Sequence, residues 1–336
     1  KCRCARFLVR SIVMCCKAAH KISQIFTKNP LHREGRRRCS WQFMVPRCIT
    51  SITVMSQPRD KNNNFNALRF LFASLVILSH APELQDGDRS REVLTQIFGT
   101  ISFGEMAVQC FLLISGYLIV KSWQERPQVA VFLTHRILRI YPGFVAASLV
   151  CALWIGPMFG ANDYWAQFRT GDYLKSLFFL KQPAIPEVFA GSHYAAVNGS
   201  MWSISYEFKC YAIALIFGLL GFLKKRNVWL ALAIFCTVFH VINRSGWANL
   251  PSDLTIRLLM AFAYGGCFYL YENALPWRAS LAWVGLLLLA VLMFFPMTAQ
   301  PALCLFWGYA ILHFAKSGPT VWGFHRWPDI SYGVYL

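Results

Sequence analysis

The sequence has little charge for its length. Asp, Glu, Lys and Arg make up 14% of the 336 residues, whereas 56% are hydrophobic and 16% are aromatic. A soluble globular domain of ordinary composition carries about 25% charged residues, so the composition argues against that class. It predicts an all-α fold in which transmembrane helices form a polytopic bundle in the lipid bilayer.

Acidic residues are scarcest at the start of the chain. Residues 1–54 contain 12 Lys or Arg and one acid, Glu34, and hold most of the excess behind the net charge of +18. The rest of the chain therefore gives no reason to expect a nucleic-acid partner. Because the segment begins with Lys and lacks a sustained apolar run, we interpret it as a basic, cysteine-containing leader outside the functional protein. The alternative is a basic arm that binds anionic lipid or nucleic acid. Residues 55–336 then form one transmembrane domain.

Paired cysteine motifs are also missing. Six of the twelve cysteines precede Met55, without the paired spacing and histidine partners of a zinc module. The other six occur singly in apolar runs, where cysteine behaves as a small apolar residue. We therefore expect neither a disulfide framework nor a metal site.

Apolar runs near the length of about 17 to 25 residues that crosses a bilayer recur from residue 65 onward. A ninth run begins at Ile330 and is cut off at Leu336. Lys and Arg concentrate in alternate connections, which predicts that Arg69 lies toward the cytoplasm and His80 toward the outer face. The eight complete spans are predicted at 65–81, 104–120, 140–159, 201–222, 228–243, 254–271, 279–296 and 299–315.

Four places break the apolar pattern, and the first is the segment from Asn66 to His80. Arg69 and His80 are eleven residues apart, about three helical turns, and so share one stripe of a helix. Charged groups in an apolar helix face protein or water, which makes this stripe a candidate site. The alternatives are an interfacial histidine and an arginine that extends to the headgroups.

The second and third places lie in the next two spans. Ser115 and Gly116 are interpreted as a close helix contact, with Ser115 a possible hydrogen-bond donor in a pocket. Arg136 and Arg139 are three residues apart and are predicted to form an anion clamp for a phosphate-bearing cosubstrate. The alternative is a positively charged cytoplasmic anchor. Pro142 predicts that the helix starts there.

The fourth place is the segment from Asn198 to Tyr211. Ser203, Glu207 and Tyr211 recur every four residues and therefore share one helical face. A lone carboxylate in hydrocarbon must be protonated or paired. We expect Glu207 to pair with His80 or with an arginine from another span.

These segments, in this order, resemble the membrane-bound acyltransferase 3 family, whose members acylate sugars and other hydroxyl compounds at the cell envelope. The resemblance covers about residues 64–336. Family members typically have about ten spans and continue beyond the last motif, which implies that this chain is truncated at its C-terminus. The matching features are Arg69 followed by His80, then GEMAVQCFLLISGYLI, RILRIYP, SMWSISYEFKCY and DISYGVYL.

The resemblance implies transfer of an acyl group, most often acetyl, from cytoplasmic acyl-CoA to a hydroxyl of an envelope polysaccharide or glycolipid. The location would be a bacterial inner membrane. His80 could take the proton from the hydroxyl as it attacks the thioester, with Glu207 orienting the imidazole. Arg136 and Arg139 would hold the CoA phosphates, and Arg69 would meet the pantetheine arm or polarise the thioester.

Two other classes of function remain open at this stage. A transporter or flippase for an envelope carbohydrate would use Arg69, Glu207 and His80 to line a path. It would not explain the paired arginines, and no inverted repeat is evident. A non-catalytic scaffold would have no need for these buried polar residues together. Aromatic residues at 160–200, among them Tyr194 and His193, could stack on sugar rings or could form an interfacial belt.

Overall fold

In the computed structural model, the described residues are 63–192, 194, 196–247, 253–319, 321 and 331–335. The predicted leader at 1–54 and the residue that opens the ninth run, Ile330, lie outside this part. Within it the chain is helical, and the β-type pairing is an isolated bridge between Gly160 and Val188. The all-α prediction is therefore confirmed for the described residues.

Twelve helices are labelled here in chain order. Helix α4 continues through a π turn at Cys151–Ile155 into Gly156–Phe159. Helix α11 has three consecutive parts, Ala299–Ala302, the π turn Leu303–Trp307 and Gly308–Ser317. The first part of α4 is Val129–Val150. The ten remaining helices are α1 (Phe65–Asp86), α2 (Val93–Phe98), α3 (Phe103–Glu125), α5 (Tyr164–Gln167), α6 (Thr170–Phe178), α7 (Trp202–Leu219), α8 (Arg226–Arg244), α9 (Asp253–Leu270), α10 (Ala279–Leu292) and α12 (Ser331–Tyr335).

Four of the described helices are long and apolar enough to cross a membrane: α1, α3, α4 with its continuation, and α8. Helix α10 is apolar but shorter. The predicted bundle of nine spans is therefore not confirmed. Polar side chains in the second turns of α7 and α9, such as Glu207 and Arg257, reduce the mean hydropathy of these two 18-residue helices.

The start of the third span differs from the prediction. Helix α4 begins at Val129, and Pro142 lies inside it rather than at its first turn. The predicted span starts at residue 140, so it omits the eleven residues 129–139 of the helix, which include polar groups. One of these, Arg136, is buried against protein, so this half of the helix needs no continuous apolar surface.

Helix α3 is the centre of the bundle. In the most apolar 18-residue stretch of α3, 78% is buried inside the protein, compared with 39% in that of α1. Gly116 of α3 and Gly265 of α9 allow the two backbones to touch. A Cβ at Gly116 would lie 2.0 Å from the Phe262 carbonyl oxygen. A Cβ at Gly265 would lie 1.9 Å from the Leu113 carbonyl oxygen. The prediction that Ser115 and Gly116 mark a close helix contact is confirmed for Gly116.

The N-terminal end of α1 is tied to the end of α11. The Asn64 backbone N–H donates to the Ala315 carbonyl oxygen at 3.0 Å, and its side-chain amide donates to the Pro319 carbonyl oxygen at 2.9 Å. Helix α12 also packs against α1. These contacts fix the helix that carries Arg69 and His80.

Candidate active site

A pocket with a cavity volume of about 340 Å³ lies at the C-terminal end of α1, and we call it the His80 pocket. Helices α1, α3, α7 and α9 and the turn after α1 contribute to its wall. The wall is strongly polar, since it includes three carboxylates, two guanidinium groups and one imidazole. These belong to Glu83, Glu92, Glu105, Arg89, Arg257 and His80.

His80 is held by a carboxylate of its own helix. Its Nδ1 lies 2.8 Å from Oε2 of Glu83, one turn further along α1. The other oxygen of Glu83, Oε1, lies 2.6 Å from Nε of Arg89. This bond raises the pKa of the Arg89 guanidinium above its ordinary value. Because Nδ1 is engaged by Glu83, Nε2 is the nitrogen through which His80 can accept a proton.

Tyr194 covers one side of the imidazole. The centroids of the Tyr194 and His80 rings are 6.4 Å apart, and burial raises the pKa of the Tyr194 phenol. A Cβ at Gly199 would lie 1.6 Å from the Tyr194 hydroxyl oxygen, so only glycine fits beneath the ring. Of the aromatic residues at 160–200 that could stack on a sugar ring or form an interfacial belt, Tyr194 thus lies beside His80. His193 lies outside the described residues.

The remaining carboxylates of the His80 pocket hold backbone in place. Glu92 accepts hydrogen bonds from the backbone N–H groups of Thr95 at 2.9 Å and Phe103 at 3.0 Å. Glu105 forms a capping box with Ser102 at the start of α3, and its Oε1 lies 3.4 Å from Nη1 of Arg257. These contacts stabilise the mouth of the pocket.

A second, much smaller pocket lies further toward the N-terminal end of α1, and we call it the Arg69 pocket. Arg69 is buried there, with 4% of its surface exposed. Oε1 of Glu207 accepts a hydrogen bond from Ser115 Oγ at 3.0 Å and another from the Tyr211 hydroxyl. The polar residues of the wall are Arg69, Ser115, Arg139, Ser203, Glu207 and Ser331.

The two pockets adjoin. Val108 of α3 and Ser203 of α7 line both of them. Arg69 and His80, about 16 Å apart along α1 by helical rise, therefore face two neighbouring cavities. Helix α3 runs in the opposite direction, because Ser115 lines the Arg69 pocket and Glu105 the His80 pocket.

Comparison with known proteins gives the family. The family model described as an acyltransferase domain matches residues 62–336. The chain belongs to this acyltransferase family. No solved structure matches it.

Three curated relatives match this chain, and two of them are named as transferases. An O-acetyl transferase of Shigella phage Sf6 is 28% identical over 228 residues, 66% of this chain and 65% of the relative. Acyltransferase MdmB of Streptomyces mycarofaciens is 26% identical over 186 residues, 52% and 46% of the two chains. Nodulation protein 10 of Rhizobium leguminosarum bv. viciae is 29% identical over 159 residues, 44% and 42%. The chain thus matches less than two thirds of the length of each relative.

The acyltransferase fold brings most of the expected site residues together. Arg69, Ser115, Arg139, Ser203 and Glu207 meet at one pocket, and His80 lies in the adjoining one. Arg69 and His80 thus both face pockets, as their shared helical stripe predicts.

The sequence predicts that Glu207 pairs with His80 or with an arginine from another span. Its hydrogen bonds run to Ser115 and Tyr211, and the carboxylate at His80 is Glu83. Two arginines from other helices, Arg69 and Arg139, line the same pocket as Glu207. Sequence reasoning missed Glu83 because the first span was ended at residue 81, whereas α1 continues through Pro82 to Asp86. The spacing of three residues between His80 and Glu83 was the available signal.

The two arginines predicted to form a clamp have different surroundings. Arg139 lines the Arg69 pocket, but Arg136 is buried beside it. Nη2 of Arg136 donates to Ser122 Oγ at 3.0 Å, and the guanidinium lies 5.4 Å from the Phe132 ring centroid and 5.7 Å from that of Tyr211. Residues three apart on a helix diverge by about 60°, so only one of the two points into the cavity.

Ser331 is a second residue that sequence reasoning did not select. It lies at the start of α12 and contributes to the wall of the Arg69 pocket. The segment DISYGVYL, which contains it, was part of the resemblance to the family. That segment therefore reaches the site through its serine.

Proposed function

We propose that the chain is an integral membrane O-acyltransferase that transfers an acetyl group from acetyl-CoA to a hydroxyl of an envelope polysaccharide or glycolipid. The observation that carries this proposal is the pair of adjoining pockets, one with an imidazole bonded to a carboxylate and one lined by two arginines. Membership of the acyltransferase family and the name of the phage O-acetyl transferase support the reaction class.

The His80 pocket is the proposed place of the acceptor. Nε2 of His80 takes the proton from the acceptor hydroxyl while the hydroxyl oxygen attacks the thioester carbonyl carbon. The new carbon–oxygen bond forms and the carbon–sulfur bond breaks. The leaving sulfur takes the proton back from the imidazolium, which restores the neutral base. Tyr194 and Trp202 offer aromatic faces on which a sugar ring can stack.

The Arg69 pocket is the proposed place of the thioester end of the donor. Arg69 and Arg139 bring positive charge to a site with little water, where it stabilises the negative charge that develops on the carbonyl oxygen. Glu207, held by Ser115, lies in the same pocket and balances part of this charge.

For the orientation, we propose that the Arg69 end of the bundle faces the cytoplasm of a bacterial inner membrane. The basic loop between α7 and α8 lies at this end, because Gln124 near the end of α3 donates to the Leu223 carbonyl oxygen at 2.6 Å. Lys224 and Arg226 follow in the same loop and line a shallow pocket there. Short basic loops favour the cytoplasmic side. The remaining apolar helices of the described part, α7, α9, α10 and α11, would bring the number of spans to eight, and the run that begins at Ile330 would start a ninth.

The experiment is transfer of radiolabel from [acetyl-¹⁴C]acetyl-CoA to envelope carbohydrate in membranes that contain the chain. We expect transfer by the wild type and none by His80→Ala, with both proteins equally inserted in the membrane. Arg278→Gln, at an exposed position outside both pockets, is the matched control and should retain activity. If the label stays on CoA in wild-type membranes while the carbohydrate crosses them, the protein is a transporter instead. An active His80→Ala variant would also refute the proposal.

A further inference from the structure

The Glu83 carboxylate joins two parts of the structure. Its Oε2 contacts His80 Nδ1 at 2.8 Å, and its Oε1 contacts Arg89 Nε at 2.6 Å. Each oxygen therefore has a different partner, and rotation of the carboxylate would break both contacts. The Glu83 side chain is 11% exposed, so water competes little for these bonds.

The chain reversal after α1 brings Arg89 back to Glu83. Helix α1 is capped by Gly87 at φ +79°, a left-handed conformation that favours glycine. A 3₁₀ turn at Arg89–Arg91 follows, and Asp88 caps it by accepting a hydrogen bond from the Ser90 N–H at 2.9 Å. The turn thus presents Arg89 to the side of Glu83 that faces away from the imidazole.

Other charged groups of the His80 pocket have different partners. Glu92 accepts from the backbone of α2 and α3, and Glu105 on α3 contacts Arg257 on α9. Tyr194, from the loop before α7, approaches the ring but carries no charge at neutral pH. Among the described residues that line the pocket, Glu83 is thus the carboxylate hydrogen-bonded to His80.

We infer that Glu83 is a positioning residue for His80, and that Glu83 and Arg89 together set the pH range over which His80 acts as a base. The inference rests on the proposed function. The bond to Nδ1 selects the tautomer whose Nε2 is free of a proton. The negative charge of Glu83 stabilises the imidazolium that forms during transfer, and the positive charge of Arg89 offsets part of this effect.

These two charges predict opposite changes in the pH profile of kcat/KM. Without the negative charge in Glu83→Gln, the neutral imidazole persists to lower pH, so the acid limb moves to lower pH. Without the positive charge in Arg89→Ala, the imidazolium persists to higher pH, so the acid limb moves to higher pH. The second shift should be smaller, because the Arg89 side chain is 68% exposed.

The test is the pH dependence of acetyl transfer by the full chain in membranes, measured with labelled acetyl-CoA. Glu83→Gln should lower kcat/KM at neutral pH by at least about tenfold. The KM for acetyl-CoA should remain near that of wild type. Glu83→Asp keeps the charge, so its acid limb should stay near that of wild type even if its rate falls. Glu125→Gln removes a carboxylate at the far end of α3 and should leave the whole profile unchanged.

The variants distinguish a positioning role of Glu83 from a purely structural one. A purely structural role would reduce activity in Glu83→Gln without moving the acid limb, and that result would overturn the inference. If Glu83→Gln fails to insert, an unshifted acid limb in Arg89→Ala overturns it as well. These outcomes differ from failure of the proposed function, in which wild type transfers no label or His80→Ala remains active.

Discussion

Replacement of Tyr211 by Phe tests the role of Glu207 in the Arg69 pocket. The change removes one of two hydroxyl donors to Oε1 of Glu207 and keeps the ring, which lies 5.7 Å from the Arg136 guanidinium. A hydrogen bond to a charged group contributes about 1.5–3 kcal/mol. The lower end of this range, about 1.5 kcal/mol, corresponds to about tenfold in rate.

We therefore expect Tyr211→Phe to lower kcat/KM for acetyl transfer about tenfold. Ser115→Ala, which removes the donor at 3.0 Å, should have a similar effect. The double variant should lose more than the product of the two single effects, because the carboxylate then keeps neither donor.

Initial rates with labelled acetyl-CoA provide the measurement. Tyr173→Phe is the matched control, because the Tyr173 hydroxyl is also buried and accepts a hydrogen bond from Ser148 Oγ at 3.3 Å, but lines neither pocket. It should leave kcat/KM within about twofold of wild type. If Tyr211→Phe is as active as Tyr173→Phe, the fixed carboxylate of Glu207 has no part in the reaction.

Two further predictions concern packing and donor binding. Gly116→Ala should lower the free energy of unfolding of the detergent-solubilised protein by about 1–3 kcal/mol, because the added methyl group would overlap the Phe262 carbonyl. A fluorescence-detected melting assay should therefore show a lower melting temperature. Gly171→Ala has nothing within 4 Å of the new Cβ and should melt like the wild type. Equal melting temperatures of the two variants would contradict the contact. Arg139→Gln should lower kcat/KM for acetyl-CoA, because Arg139 is proposed to stabilise the charge that develops on the carbonyl oxygen, whereas Arg136→Gln should mainly lower stability. A lower kcat/KM in Arg136→Gln alone would reverse this assignment.

The polar set of the Arg69 pocket could be predicted from the sequence because hydrocarbon leaves such groups few alternatives. Arg69, Ser115 and Glu207 interrupt apolar runs, and buried polar groups must find one another or water. Helical spacing then specifies which residues share a face. For Glu207 it selected Tyr211 and Ser203, and the structure places one at its carboxylate and the other in the same pocket.

Partners across helices could not be predicted in the same way. The spacing of Arg136 and Arg139 does not say which of them faces a cavity, because that depends on where Tyr211 and Ser122 of neighbouring helices lie. The role of Glu83 was missed for a different reason. Pro82 and the polar residues after it resemble a loop, but proline is tolerated here inside α1.

The shared border at Val108 and Ser203 has a consequence for the integrity of the membrane. Under the proposed function, donor and acceptor occupy adjoining pockets and meet at the border that Val108 and Ser203 form. Only the small acetyl group then has to pass this border, while the charged remainder of CoA stays on its own side. A bilayer could thus be crossed by chemistry alone, without a pore through which ions would leak.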